Sequence, residues 1–251
     1  MKTEVKIFVL CFLCISLLLS ACSCNDAEIA EPKDTSASED QVTTAGDTDA
    51  VLPCDYDDII KNIIKAYPWD DDYNNIVTEN PELSYMYSRS RSLSDIGFAL
   101  LDLDGNGQEE LIVTDINSPF IYDLYTVTDG EIFHLFCSSE RSCYFIYENG
   151  WIENQWSGSA ATSGHDFYKL NDGSLDFVER ITMDAYYALD AGLISDPSEA
   201  DGENTFFRSK SEDFEDYILI PFDEAIKAIE TYQNANEPLV IEYTLLSEYQ
   251  K

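Results

Sequence analysis

Asp102-Leu103-Asp104-Gly105-Asn106-Gly107-Gln108-Glu109-Glu110 is the stretch from which the fold is read. Side-chain oxygens stand at its first, third, fifth and ninth positions, and Gly107 stands at the sixth. A hard cation such as Ca²⁺ takes about six to eight oxygens, from side chains at alternate positions and from backbone carbonyls. A glycine permits the bend that turns those oxygens inward. A plain Asp/Asn/Gly-rich turn is the alternative, but it needs only about two or three such residues. The spacing makes Asp102, Asp104, Asn106 and Glu110 candidate metal ligands, joined by the Gln108 carbonyl. Ca²⁺ is the expected cofactor.

The flanks decide what kind of loop this is. Gly97-Phe98-Ala99-Leu100-Leu101 leads in and Leu111-Ile112-Val113-Thr114 leads out. Both are short apolar runs without helical periodicity, which reads as strands. An EF-hand needs helices on both sides and a glutamate at its twelfth position. That position is Val113 here. The expected unit is therefore strand, nine-residue loop, strand, with Glu110 closing the site.

On these residues the stretch resembles the FG-GAP and VCBS-type calcium loops of integrin-like and bacterial surface proteins. It is also similar to the Asp-x-Asp-Gly-Asn-Gly-x-x-Glu-Leu-Ile loops of Firmicutes lipoproteins. The resemblance covers roughly positions 96–179. It implies a calcium-binding β-loop-β unit followed by a strand series. Those families usually carry several such loops, and this chain has one clear copy.

Three turn signals after the loop support a strand series. Asp129-Gly130, Asn149-Gly150 and Asp172-Gly173 each lie between apolar runs. Asp-Gly and Asn-Gly favour the positive φ of tight hairpins. Before the loop, Asp55 can cap a helix bearing Ile59, Ile60, Ile63 and Ile64 on one face, stopped by Pro68. A second short helix is expected from Pro81, capped by Asn80, through Tyr87. Later, 216–220 reads as a strand, Asp223 caps a helix through Tyr232, and 239–246 reads as a last strand. The fold class expected is α+β: an antiparallel β-meander with N-terminal helices and one helix near the C-terminus.

The first 50 residues read differently. Positions 1–21 have Lys2 and Lys6 ahead of an apolar run from Ile7 to Leu19, the pattern of a secretion signal. Leu19-Ser20-Ala21-Cys22 resembles the lipobox of bacterial lipoproteins. That resemblance implies a lipidated Cys22, a membrane anchor and an extracytoplasmic location. Positions 22–50 are rich in Asp, Glu, Ser, Thr and Ala, a composition that cannot bury enough surface to order itself. Such a tether spans roughly 25–30 Å. The globular domain is expected over 51–251.

Composition bounds the partners. Fourteen Lys plus Arg face 49 Asp plus Glu, for a net charge of −35. Nucleic acid and anionic headgroups are excluded as electrostatic partners. Divalent cations, a cationic wall polymer, a glycan or a protein remain. Asp70, Asp71 and Asp72 form a second acidic cluster without ligand spacing. Cys137 and Cys143 flank a short polar segment and are either a disulfide pair or free thiols. Zinc is not expected, with only His134 and His165 and no Cys-x-x-Cys beyond the signal.

No nucleophile elbow, zincin or phosphate-loop motif is present. His165-Asp166 near Ser157, Ser159 and Ser163 implies no triad geometry. Trp151 and Trp156 border a stretch of small residues and are candidate ligand contacts, or else core aromatics. Two functions follow. The first is a cell-surface lipoprotein with a calcium site, acting in binding or structure. The second is an extracytoplasmic hydrolase of wall or glycan material. Its signature would be both tryptophans in one open groove beside a close carboxylate pair.

Overall fold

The apolar runs around the acidic loop pair with each other. Strand β1 (Ile96–Leu101) and strand β2 (Glu110–Asp115) form an antiparallel ladder from Ile96↔Asp115 to Leu101↔Glu110. The structure, a computed structural model, describes residues 56–67, 84–90, 92–212, 216–233 and 237–249. The expected signal, Cys22, the expected tether, Asp55, Pro68, the Asp70–Asp72 cluster, Asn80 and Pro81 lie outside the described residues.

Two antiparallel sheets follow. The first continues through β3 (Asp123–Thr128) and β4 (Glu131–Cys137). Its order is β11-β1-β2-β3-β4, with β11 (Thr244–Leu245) returning from the far end of the chain. The second contains β5 (Ser142–Ile146), β6 (Trp151–Ser159), β7 (Thr162–Asn171), β8 (Ser174–Asp184), β9 (Phe206–Ser209) and β10 (Ile218–Leu219). Its order is β10-β9-β8-β7-β6-β5, so consecutive strands are neighbours throughout. The expected hairpins form at all three Asx-Gly turns. Asp129-Gly130 and Asp172-Gly173 both have positive φ at each central residue, the twist that matches flanking strands.

Strand β2 explains why its run is apolar without alternation. Five of its six residues are buried, because both of its faces are covered. Leu111 and Val113 meet helix α1 (Asp57–Lys65) through Ile60 and Ile63, together with Tyr56 and Tyr87. Ile112 on the other face meets Ile146, Ile152 and Leu170 of the second sheet. The Tyr56 hydroxyl donates to the Glu109 carbonyl at 2.8 Å, which ties the start of α1 to the acidic loop.

The second sheet buries a row of carboxylates. Glu153, Phe167 and Glu179 stand side by side on β6, β7 and β8. Helix α3 (Phe222–Gln233) lies over this face, with Ala225 against Phe167 and Ile181. Tyr232 stacks on Phe167 at 4.2 Å and its hydroxyl donates to Glu179 at 2.8 Å. The Gln233 amide donates to both Glu153 oxygens. Arg208 holds Glu179 with two bonds of 2.6 and 2.9 Å. On the opposite face Arg180 holds Asp166 in the same two-pronged way, at 2.7 and 2.6 Å. Helix α2 (Ala185–Asp190) covers Phe207 nearby.

The helical expectation needs correction. Of the second N-terminal helix, the described part is a 3-10 turn, Tyr85–Arg89. Helix α2 was not expected, and α3 opens at Phe222, ahead of Asp223. The expected strand at 239–246 is a strand only at Thr244–Leu245, with Pro238 in an isolated bridge to Tyr147. The apolar residues there, Leu239, Ile241 and Tyr243, pack on the second core cluster. Their pattern reports burial against side chains rather than ladder pairing.

Strand β11 reaches β1 at a position where only glycine fits. A Cβ on Gly97 would stand 2.6 Å from Tyr243 Cβ and 2.9 Å from Ile116 Cγ2. Gly97→Ala is expected to lower stability by about 1–3 kcal/mol, the usual cost of overpacking. Urea unfolding measures the loss, and hydrogen exchange should show it concentrated at Thr244 and Leu245. Uniform exchange with unchanged stability would mean that β11 yields without cost.

Candidate metal centre

The acidic loop is built by its own hydrogen bonds before any ion is considered. Asp102 Oδ1 accepts from the Gly105 N–H at 2.8 Å and Oδ2 from the Gly107 N–H at 3.1 Å. Asp104 Oδ1 accepts from the Asn106 N–H, and Asn106 Oδ1 accepts from the Gln108 N–H at 2.6 Å. Gly105 and Gly107 both have positive φ, which this winding requires.

Glu110 differs from the other acids. It is fully buried at the start of β2, facing the second sheet. Its Oε2 accepts from the Leu103 N–H at 2.9 Å, and its Oε1 accepts from the Thr126 hydroxyl of β3 at 3.1 Å. Burial pushes its carboxyl up from 4.5. The Leu103 and Thr126 bonds oppose this, and the Asp104 and Asp102 charges add to it.

Asp102, Asp104 and Glu110 each bring an oxygen within 4.8 Å of the others. Opposite ligands of one Ca²⁺ stand about 4.6–5.2 Å apart, twice the Ca–O distance. The three acids therefore fit around one hard cation. Two unit charges at this range repel by about 1 kcal/mol in bulk water, and by a few kcal/mol at an effective dielectric near 20. An ion would remove that repulsion, while each carboxylate oxygen keeps a lone pair beyond its N–H bond. Asn106 lies in the same turn, with its amide donating to Asp104 Oδ2 at 3.1 Å. Gln108 gives its N–H to the Asn106 side chain in the same turn.

The two tryptophans part company. They are five residues apart in one strand, so they point to opposite faces of the second sheet. Trp151 packs edge-on to Tyr232 with Lys169 Nζ at 4.1 Å from its ring centroid. Trp156 lies on Gly164, where a Cβ would come within 2.7 Å of the indole. Its Nε1 donates to Asp166 at 2.9 Å. The single groove containing both is ruled out by this geometry.

The histidines serve buried acids. His165 Nδ1 meets Glu153 at 2.5 Å, and His134 Nε2 meets Asp123 at 2.9 Å. Burial raises Glu153, but the bonds from His165, Tyr147 and Gln233 outweigh it and the net direction is down. Cys137 and Cys143 are free thiols in the structure. The bridge Ser139↔Ser142 sets a register that, continued inward, puts Cys143 against Ser138 rather than Cys137. Burial pushes the Cys143 thiol up to about 11, a poor nucleophile at neutral pH.

Thr126 is the site residue that the sequence did not single out. Its approach to Glu110 depends on the pairing of β2 with β3, and nothing local marks it. Compared with family models, with curated proteins and with solved structures, the chain matches none. The resemblance to the calcium loops thus rests on the loop residues themselves.

The raised Glu110 carboxyl has a sign that can be tested. The folded state binds this proton more tightly than the unfolded chain. Its ionisation therefore costs stability as pH rises through the folded value, upward from 4.5. Glu110→Gln removes the charge, and the Thr126 hydroxyl can turn to accept from the new amide. With a chelator present at pH 7, the variant should be at least as stable as the parent, with a flatter dependence between pH 5 and 7. A loss above about 1 kcal/mol across that whole range would mean that the ionised form is the better hydrogen-bonded one.

Proposed function

We propose that the protein is a lipid-anchored, extracytoplasmic surface protein whose 102–110 loop binds Ca²⁺ and so stiffens a binding or structural module. The convergence of Asp102, Asp104 and Glu110 oxygens within 4.8 Å carries the reading. Ca²⁺ is preferred to Mg²⁺ because the loop offers many oxygens and few fixed octahedral directions. The anchor rests on the lipobox-like Leu19-Ser20-Ala21-Cys22. The signature named for a hydrolase, two tryptophans beside paired carboxylates, has no support. Trp151 and Trp156 lie on opposite faces, and α3 covers the Glu153 and Glu179 row.

Ca²⁺ that binds only the folded state stabilises it by about 2.7 kcal/mol at a hundredfold excess over Kd. For a domain of this size the melting temperature should rise by several degrees. Diffuse screening of a −35 chain by divalent ions can also raise it. Asp104→Ala separates the two, because it changes the charge by one unit and deletes one ligand. The parent should gain several degrees with Ca²⁺ and the variant close to none. Equal gains would leave screening as the whole effect.

The anchor has its own test. Cys22→Ser removes the only group expected to carry acyl chains, and an acidic tether has no affinity for a bilayer by itself. The variant should leave the membrane fraction or remain unprocessed. Normal cleavage together with unchanged membrane fractionation would defeat the lipobox reading.

A further inference from the structure

A half-open cavity of about 210 Å³ lies between the β1–β2 loop and the β5–β6 hairpin. Leu101 and Leu103 line it from one side, and Ile146, Ile152, Leu170 and Leu239 from the other. Two exposed carboxylates, Asp102 and Glu148, stand at its lining. Exposed Glu237 is adjacent, since its carbonyl takes the Glu148 N–H. Among the described residues one cation is near: a Cβ on Gly150 would lie 3.4 Å from Lys169 Nζ. That ammonium is held by the Asn149 carbonyl at 3.0 Å and by the Trp151 ring. The balance at the cavity is acidic, on a chain of net charge −35.

Size and charge select the occupant. Sites that engulf a whole small molecule run to about 300–1,000 Å³. This cavity is smaller, so it suits one apolar group of a larger ligand. Its acidic mouth, within an acidic field, concentrates cationic partners and repels anionic ones. We propose that the cavity takes one large apolar side chain of a cationic peptide segment, whose neighbouring lysine or arginine side chains meet Asp102 and Glu148. The apolar anchor is desolvated and supplies most of the affinity, as buried anchors do at interfaces. The exposed carboxylates supply selection and speed of encounter. The cavity does not depend on the cation reading, but Ca²⁺ and a cationic side chain would compete for Asp102, so Glu148 is the carboxylate that meets the peptide when Ca²⁺ is bound.

The test uses fluorescent derivatives of three capped tripeptides, Lys-Phe-Lys, Lys-Ser-Lys and Asp-Phe-Asp, titrated onto the full chain in detergent with a chelator present. Lys-Phe-Lys should bind about fivefold or more tightly than either control. Glu148→Lys, at an exposed position, should weaken it by about fivefold. Leu239→Trp, which fills the cavity, should abolish the preference for Phe over Ser. Equal binding of Lys-Ser-Lys would overturn the proposal in favour of diffuse charge. Equal binding of Asp-Phe-Asp, undiminished binding to Glu148→Lys, or no binding by any peptide would also overturn it. If circular dichroism shows Leu239→Trp to be misfolded, Glu148→Lys decides alone. The chelator keeps this outcome separate from the Ca²⁺ thermal shift, since either can fail while the other holds.

Discussion

A buried carboxylate, Glu110, joins the loop to the sheets. One oxygen holds the Leu103 N–H at the start of the loop, and the other holds the Thr126 hydroxyl on β3. The turn between β7 and β8 closes over the same strand, so tightly that a Cβ on Gly173 would collide with Thr128 Oγ1. Loop, first sheet and second sheet therefore meet around one acid. Burying a charge without partners is costly. Here two donors, and in the proposed state a cation, stand in for the lost water.

The rest of the charge distribution follows a similar logic. Cations are scarce in this chain, 14 against 49 acids, yet Arg180 and Arg208 are both committed to buried carboxylates of the second sheet. His134 and His165 hydrogen-bond to two further buried acids, Asp123 and Glu153. In such pairs desolvation offsets much of the attraction, but removing one partner strands the other. The two arginines thus balance buried acids rather than the surface. Each arginine is matched by a buried carboxylate, so these pairs leave the net charge of −35 unchanged, and the acidic exterior is the setting in which cations and cationic partners are drawn in.

Several features were legible because they are local. The strand–loop–strand unit follows from two apolar runs about an Asp/Asn/Gly-rich bend, and the three hairpins follow from Asx-Gly pairs that tolerate positive φ. The facing of the tryptophans was legible too, once one strand is taken to run from Trp151 through Trp156. An odd separation along one strand then sends Trp151 and Trp156 to opposite faces. The last apolar run misled in the other direction. Leu239, Ile241 and Tyr243 alternate as a strand does, yet they pack by side chains with few ladder partners.

The sequence by itself determined the elements whose causes lie within a few residues: the acidic loop, its flanking strands, the tight turns and the amphipathic faces of α1 and α3. Only the tertiary structure decided which distant groups meet. It brought Thr126 to Glu110 across sixteen positions, Gln233 to Glu153 across eighty and Tyr232 to Glu179 across fifty-three. It also set the cavity between the acidic loop and the β5–β6 hairpin. The physical reason is that spacing within a chain fixes local dihedrals and faces, whereas the pairing of distant polar groups depends on sheet order and register. Those are set by the burial of whole faces at once, and no single stretch encodes them.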